Sequence, residues 1–314
     1  MYTACLIGYG YWGSKLTRNF QNSGYFKITS IVDIKKKNLI IAKKKYPLIK
    51  LNKDFKKTIK SSDTDLIIIS SPTSTHYKVA KYALQNFKHV LVEKPLCLSL
   101  KKVKELNRIA KNNKKMIFVD YPFLFSGSIN FIKKIIKKKT YGKLIEIESF
   151  REQAPIRKDA NVIWDLGTHD ISILTYLIKK LPIKIQTIKK KNIDGPHCDS
   201  AYINLKYKDQ LNVLIKNSWI SPTKIRLIKF KFKKAIIYCN ENESLYKIKI
   251  YTNNSKNNWT KYNLSIPEVD LREPLSELVK YVFFSIKNNK NFLFNEKLNE
   301  RITYLLEKIN SSND

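Results

Sequence analysis

Asp165 and His169 stand four positions apart in Trp164-Asp-Leu-Gly-Thr-His-Asp170, a spacing that puts a carboxylate and an imidazole on one face of a helix. Imidazole exchanges protons readily near neutrality, so the pair could take or return the proton of a substrate hydroxyl. The chain has only 4 His, which raises the interest of this one. The same residues also fit a partly buried histidine bonded to Asp165 or Asp170 for helix stability. Lys94 is the second candidate. It stands between Glu93 and Pro95, where the apolar run His89-Val-Leu-Val92 ends. At such a constrained bend a cofactor's reactive end could lie; Lys94 could equally be one more exposed lysine. Glu93 reads as a partner for Lys94 or for a backbone N–H.

A third group is made of glycine. Three of the 8 Gly fall in the first 13 residues, as Gly8-Tyr-Gly10-Tyr11-Trp12-Gly13. This G-x-G-x-x-G turn follows a short apolar run and precedes a helix predicted from Trp12 to Ser23. Gly8 permits the tight turn, Gly10 lets a pyrophosphate approach the main chain, and Gly13 lets the helix pack close to the sheet. Lys27-Ile-Thr-Ser-Ile-Val-Asp33 reads as the next strand, and Asp33 is placed to accept the hydroxyls of an adenosine ribose. A dinucleotide site follows. The Asp33 charge favours NAD and repels the 2′-phosphate of NADP, although Lys35-Lys36-Lys37 argues the other way.

These groups must be positioned by the elements around them. The run Asp65-Leu-Ile-Ile-Ile-Ser70 has the continuous apolar character of a parallel strand buried on both faces. Strands at 89–92 and 116–119 alternate with predicted helices, which describes βαβ units in a parallel sheet. Right-handed crossovers bring loops 70–76 and 92–96, with Ser71, His76, Glu93, Lys94 and Pro95, to the carboxyl edge beside the glycine turn. The pattern changes near Tyr121-Pro122. A strand over 142–150, a helix over 164–177 and strands at 183–189, 200–207, 211–218, 223–230, 234–239 and 245–251 suggest a largely antiparallel sheet. A polar turn is expected at 252–258, closing helices at 271–287 and 296–309, and fraying over 311–314. The fold class is therefore α/β: a Rossmann-type parallel sheet over 1–121, then an α+β domain over 122–314 on a large, mostly antiparallel sheet.

The formal charge is +34, yet only 7 of the 60 basic residues are Arg. Lysines recur in nearly every segment instead of forming one stripe, so the charge predicts weak, salt-sensitive attraction of polyanions and no specific nucleic-acid site. Cys5, Cys97, Cys198 and Cys239 are widely spaced, which argues for a reducing compartment, and His197-Cys198 alone makes a poor metal site. With no signal-peptide pattern and no run long enough to span a membrane, the expectation is a cytoplasmic protein.

The ordered set of G-x-G-x-x-G, Ser70-Ser-Pro-Thr-Ser-Thr-His76, Glu93-Lys94-Pro95 and Asp165-x-x-x-His169 resembles the glucose–fructose oxidoreductase, inositol dehydrogenase and MocA family, with agreement down to Arg272-Glu-Pro-Leu275. The resemblance implies an NAD(P)-dependent sugar dehydrogenase or reductase. In it Lys94 contacts substrate near the nicotinamide, His169 is the proton acceptor or donor, Asp165 orients the sugar, a cis bond precedes Pro95, and His76 lines the cofactor approach. It also implies a homo-oligomer formed through the second domain's sheet. Many members carry glycines just before the aspartate, where this chain has Asn161-Val-Ile-Trp164. The W-D-L-G-x-H-D form is similar to a branch found among sugar-nucleotide and cell-surface polysaccharide enzymes. Arg151 and Arg157 then become candidate partners for a diphosphate or uronate carboxylate, or else members of structural salt bridges. A polyol or inositol dehydrogenase and a non-catalytic dinucleotide-binding regulator are the competing readings.

Overall fold

The computed structural model describes residues 1–61, 63–253, 262–291, 293–294 and 296–312. The chain begins with β1 (Tyr2–Ile7), α1 (Tyr11–Asn22), β2 (Phe26–Val32), α2 (Lys36–Lys45), β3 (Lys50–Asn52) and α3 (Phe55–Ser61). It continues with β4 (Leu66–Ile69), α4 (Thr73–Gln85), β5 (His89–Glu93), α5 (Leu100–Asn112) and β6 (Ile117–Asp120). These six strands form one sheet in the order β3-β2-β1-β4-β5-β6, and every pair in it is parallel. Leu66, Ile67, Ile68 and Ile69 are fully buried, as a strand covered on both faces by crossover helices must be. The helices meet the sheet along single stripes, such as Val103, Leu106 and Ala110 of α5. Strand order reverses between β2 and β4 around β1, and a crevice opens at the carboxyl ends of strands at such a point.

Beyond a 3₁₀ turn at Pro122–Phe125 come α6 (Gly127–Lys138), β7 (Leu144–Glu152), a π-helical turn (Ile163–Gly167) and α7 (Thr168–Ile178). Then follow β8 (Lys184–Lys190), β9 (Ser200–Lys206), β10 (Asn212–Ser218), β11 (Ile225–Phe232), β12 (Ala235–Asn240), β13 (Ile248–Thr252) and β14 (Asn263–Ser265). The second sheet runs β14-β13-β12-β11-β7-β10-β9-β8, antiparallel throughout except where β7 pairs with β10. Its strands alternate. Ile203, Val213, Ile215, Phe230 and Ile237 are buried, whereas Ile188, Tyr202, Leu214 and Leu264 on these strands are exposed. The polar turn expected at 252–258 falls from residue 254 onward outside the described residues, as do the last two of the four residues expected to fray.

The chain ends with α8 (Pro274–Lys287) and α9 (Glu296–Ser311). Its contacts define two units, one of 1–122 with 273–304 and the other of 123–272 with 305–314. The division thus differs from a single second block over 122–314. The reason lies in α8, which packs on α1 and β6. Phe283 stacks on Tyr25 and meets Tyr2 and Phe26 edge-on, while Phe294 packs against Phe118 and Tyr121. These aromatic contacts draw the late helices into the core of the first unit.

Candidate active site

Each glycine of the turn has its own surroundings. Gly8 has φ +95°, and a Cβ there would stand 2.6 Å from the Ser71 amide nitrogen. A Cβ on Gly13 would stand 2.0 Å from the Gly8 carbonyl oxygen, so only glycine lets α1 start against the turn. At Gly10 a Cβ would meet nothing within 4 Å. That open space is where an anion can reach the main chain, and the first turn of α1 carries no acidic residue to oppose it. Tyr11 and Trp12 flank this point as exposed rings in edge contact, with the Lys15 amine over both.

Asp33 follows β2 as a buried carboxylate. Its Oδ2 accepts the Tyr9 amide (2.7 Å) and the Asn38 side-chain amide (2.9 Å), and its Oδ1 accepts the Lys35 amide (2.7 Å). It therefore ties the glycine turn to the start of α2, with Lys35, Lys36 and Lys37 exposed beside it.

The two loops at the carboxyl edge are joined by His76. Its ring is buried, with Nδ1 and Nε2 each 2.8 Å from a carbonyl oxygen, those of Pro95 and Ser71. A neutral ring donates to one of them; a second proton lets it donate to both. His76 is thus a brace beneath the loops instead of a group lining an open approach. The Ser71 hydroxyl is bonded to that of Thr75 (2.6 Å). The Lys94–Pro95 peptide is cis. Glu93 and Lys94 are both buried, and in the sheet register Glu93 stands opposite Asp120 of β6. Burial, first, and then the facing Asp120 push the Glu93 carboxyl well above the usual range, against the pull of Lys94.

In the second unit Asp165 lies in the π-helical turn, so 164–177 is not one regular helix as expected. The turn begins where the Asn161 side chain accepts the Trp164 amide (3.1 Å) and passes into α7 at Thr168. Asp165 is buried. Its Oδ2 accepts the Trp219 indole N–H (3.0 Å), and its Oδ1 lies 3.5 Å from Arg157 Nη1. Arg157 also grips Asp159 through Nε (2.9 Å) and Nη2 (2.8 Å). His169, half-buried, meets Phe123 edge-on at 5.2 Å.

Arg151 stands in the interior. It pairs with Asp170 at 3.1 Å, both side chains at 2% exposure or less, and its guanidinium covers the Phe123 ring at 4.5 Å. Asp170 also accepts the Ser149 hydroxyl and the Asn217 amide, each at 2.8 Å. Of the two roles open to Arg151 in the sequence, the geometry is that of the structural salt bridge. Arg157, 30% exposed, keeps access to solvent while touching Asp165.

Residues 3–121 match the family model described as "Oxidoreductase family, NAD-binding Rossmann fold". The match is with the Gfo/Idh/MocA family model and covers this region alone. The chain is similar to an uncharacterized oxidoreductase of Schizosaccharomyces pombe, 28% identical over 138 residues, or 41% of this chain and 37% of that protein. It thus spans little more than a third of that relative's length. It is also similar to the myo-inositol 2-dehydrogenase of Thermotoga maritima, 26% identical over 225 residues, 68% of this chain and 67% of that one. In three dimensions it resembles the UDP-N-acetylglucosamine 3-dehydrogenase GnnA from Acidithiobacillus ferrooxidans, with a TM-score of 0.84 at 16% identity, covering 98% of this chain and 96% of that one. At that identity the likeness is one of fold.

The sequence motif located the glycine turn. Other polar groups around the candidate residues carried no such signal. Asp120, Trp219 and Asn217 sit at strand ends with no motif spacing, and only the fold brings them to Glu93, Asp165 and Asp170. Arg226 is another. It donates to the carbonyls of Glu152 and Gln153, and burial, aided by the charge of Arg151, lowers its pKa to about 10. Among the described residues no cluster of His, Cys, Asp and Glu could hold a metal ion, and no helix is long and apolar enough to cross a membrane.

Proposed function

We propose that the chain is an NAD-dependent oxidoreductase acting on a secondary hydroxyl of a sugar, with a sugar nucleotide or polysaccharide precursor as substrate. One observation carries the reading. The glycine turn with its open Gly10 position and the Asp33 carboxylate fits a dinucleotide, and the same chain holds Lys94 at a cis-proline bend, Asp165 in the π-helical turn and His169 at the start of α7. When bound, NAD supplies the hydride acceptor. Asp33 takes the ribose hydroxyls and disfavours a 2′-phosphate, so NAD is chosen over NADP. His169 takes the hydroxyl proton, and its half-buried ring is oriented by the Phe123 edge. Lys94 favours negative charge on the reacting oxygen, and Asp165, fixed by Trp219 and Arg157, orients the sugar. Arg157 is placed to share an anionic substrate group with Asp165.

The outer face of the second sheet, where Ile188, Tyr202, Leu214 and Leu264 are exposed among charged residues, supports assembly into a homo-oligomer through that face. Cys5, Cys97, Cys198 and Cys239 are all free thiols, which supports a cytoplasmic setting. The name of the Thermotoga relative favours a second reading, a polyol or inositol dehydrogenase. Titration with NADH and NADPH at moderate salt, then turnover of a panel of nucleotide sugars and free polyols with NAD as oxidant, separates them. Tighter NADH binding with turnover of nucleotide sugars is expected. Equal or tighter NADPH binding would overturn the cofactor assignment, turnover of polyols alone the substrate class, and NADH binding without any turnover would leave a regulator.

A further inference from the structure

We infer that Glu93 and Asp120 are positioning residues for Lys94, a carboxyl pair that holds one proton between two facing oxygens and so presents a single negative charge to the Lys94 side chain. This rests on the oxidoreductase reading of the same site. Glu93 ends β5 and Asp120 ends β6, and the two are partners in the parallel register. Adjacent strands lie about 4.8 Å apart, so side chains opposite each other on one face are direct neighbours. The exposures are 8% and 3%. Oε1 of Glu93 and Oδ1 of Asp120 are each buried, and among the described residues neither has a hydrogen-bond partner.

Two ionised carboxylates in that arrangement repel each other and leave two acceptors without a donor. One proton removes both problems, because the acid of one residue donates to the carboxylate of the other. The pair then carries one charge. Burial holds both carboxyls above their ordinary range, as sharing requires, while Lys94 pulls each of them down. Among the described residues, Lys94 is the cation whose charge acts on both carboxyls. Tyr121 follows Asp120 and burial pushes its phenol up, Cys97 is a buried thiol beyond Pro95, and Tyr281 lies on α8, which packs on β6. His76 commits both ring nitrogens to the carbonyls of Ser71 and Pro95. Lys94 is therefore the charge that answers the pair, and the pair holds it at the bend.

The test is infrared spectroscopy of the full chain without cofactor near neutral pH. A protonated-carboxyl C=O band is expected in the wild type. It should vanish in Glu93→Gln and equally in Asp120→Asn, since an amide N–H then satisfies the remaining carboxylate and no proton is needed. Should one variant fail to fold, the other carries the same comparison from the neighbouring strand. A wild-type spectrum without the band, or a band that survives substitution at either position, overturns the shared proton. The double variant Glu93→Gln/Asp120→Asn keeps the shape but has no charge for Lys94. Its single-turnover hydride transfer should fall about tenfold, as for loss of a hydrogen bond to a charged group, with NADH affinity retained. Wild-type transfer in that variant overturns the positioning role. The infrared comparison needs neither cofactor nor sugar, so its outcome is separate from that of the proposed activity.

Discussion

Each unit buries carboxyl groups among its candidate residues, but their partners differ in kind. In the first, Glu93 and Asp120 stand opposite each other at adjacent strand ends. In the second, Asp170 is paired with the buried Arg151, and Asp165 lies within reach of Arg157. A guanidinium does not lose its charge in any ordinary pH range, so the second arrangement is fixed. The carboxyl pair is tuned by a proton and responds to pH. A protein can thus bury acids either rigidly or adjustably, and here it does both.

Breaking the fixed arrangement should have the largest effect on stability. Arg151→Met leaves Asp170 as an uncompensated buried charge, and a loss of about 3–5 kcal/mol is expected in denaturant unfolding. Arg157→Met acts at a side chain 30% exposed and should cost under about 1 kcal/mol. Equal losses from the two would erase the distinction between interior and site arginine.

The glycine turn sharpens the same comparison in the first unit. Gly13→Ala forces a methyl against the Gly8 carbonyl and should destabilise by about 1–3 kcal/mol. Gly10→Ala has free space, so its melting temperature should stay near wild type while NADH affinity drops, since the new methyl stands where the pyrophosphate approaches. Calorimetry on both variants checks the pair of outcomes. A Gly10→Ala protein with undiminished NADH affinity would contradict the cradle.

The smallest expected effect is on the pH dependence of stability, and its sign differs between the units. Glu93 and Asp120 have raised pKa values in the folded state. Their contribution is complete below the ordinary carboxyl range and is lost as pH rises through the folded values. For Asp199 of the second unit burial works upward but is outweighed by the amides of Ile193 and Asn192, and its pKa is lowered. Its contribution is present above the ordinary value and is lost as pH falls through the folded one. Melting curves of Asp120→Asn and Asp199→Asn should therefore lose pH dependence on opposite sides. Losses on the same side would refute the contrast.

What the sequence made legible follows from range. The glycine turn, the all-apolar β4 and the alternating strands of the second sheet are written in near neighbours, and their bounds lie within a few residues of those expected. The three-residue strands β3 and β14 are too short for any period to show. The π-helical turn inserts a residue into what reads as one helix, and only the surrounding contacts of Asn161 and Trp219 select it. The return of α8 to the first unit depends on Phe283 finding Tyr25. Likewise, nothing local to Arg151 distinguishes a substrate ligand from the partner of Asp170, and nothing near Asp120 announces Glu93. Candidate residues were therefore legible as types, and their pairings were not.

On the proposed reading, His169 moves the proton during hydride transfer. Single-turnover hydride transfer from an active nucleotide sugar to NAD, measured on His169→Ala beside melting temperature and NADH affinity, is the deciding measurement. A stable protein that binds NADH and transfers hydride about 10²–10⁴-fold more slowly is expected. A stable, NADH-binding His169→Ala protein with the wild-type transfer rate across the pH range would contradict it.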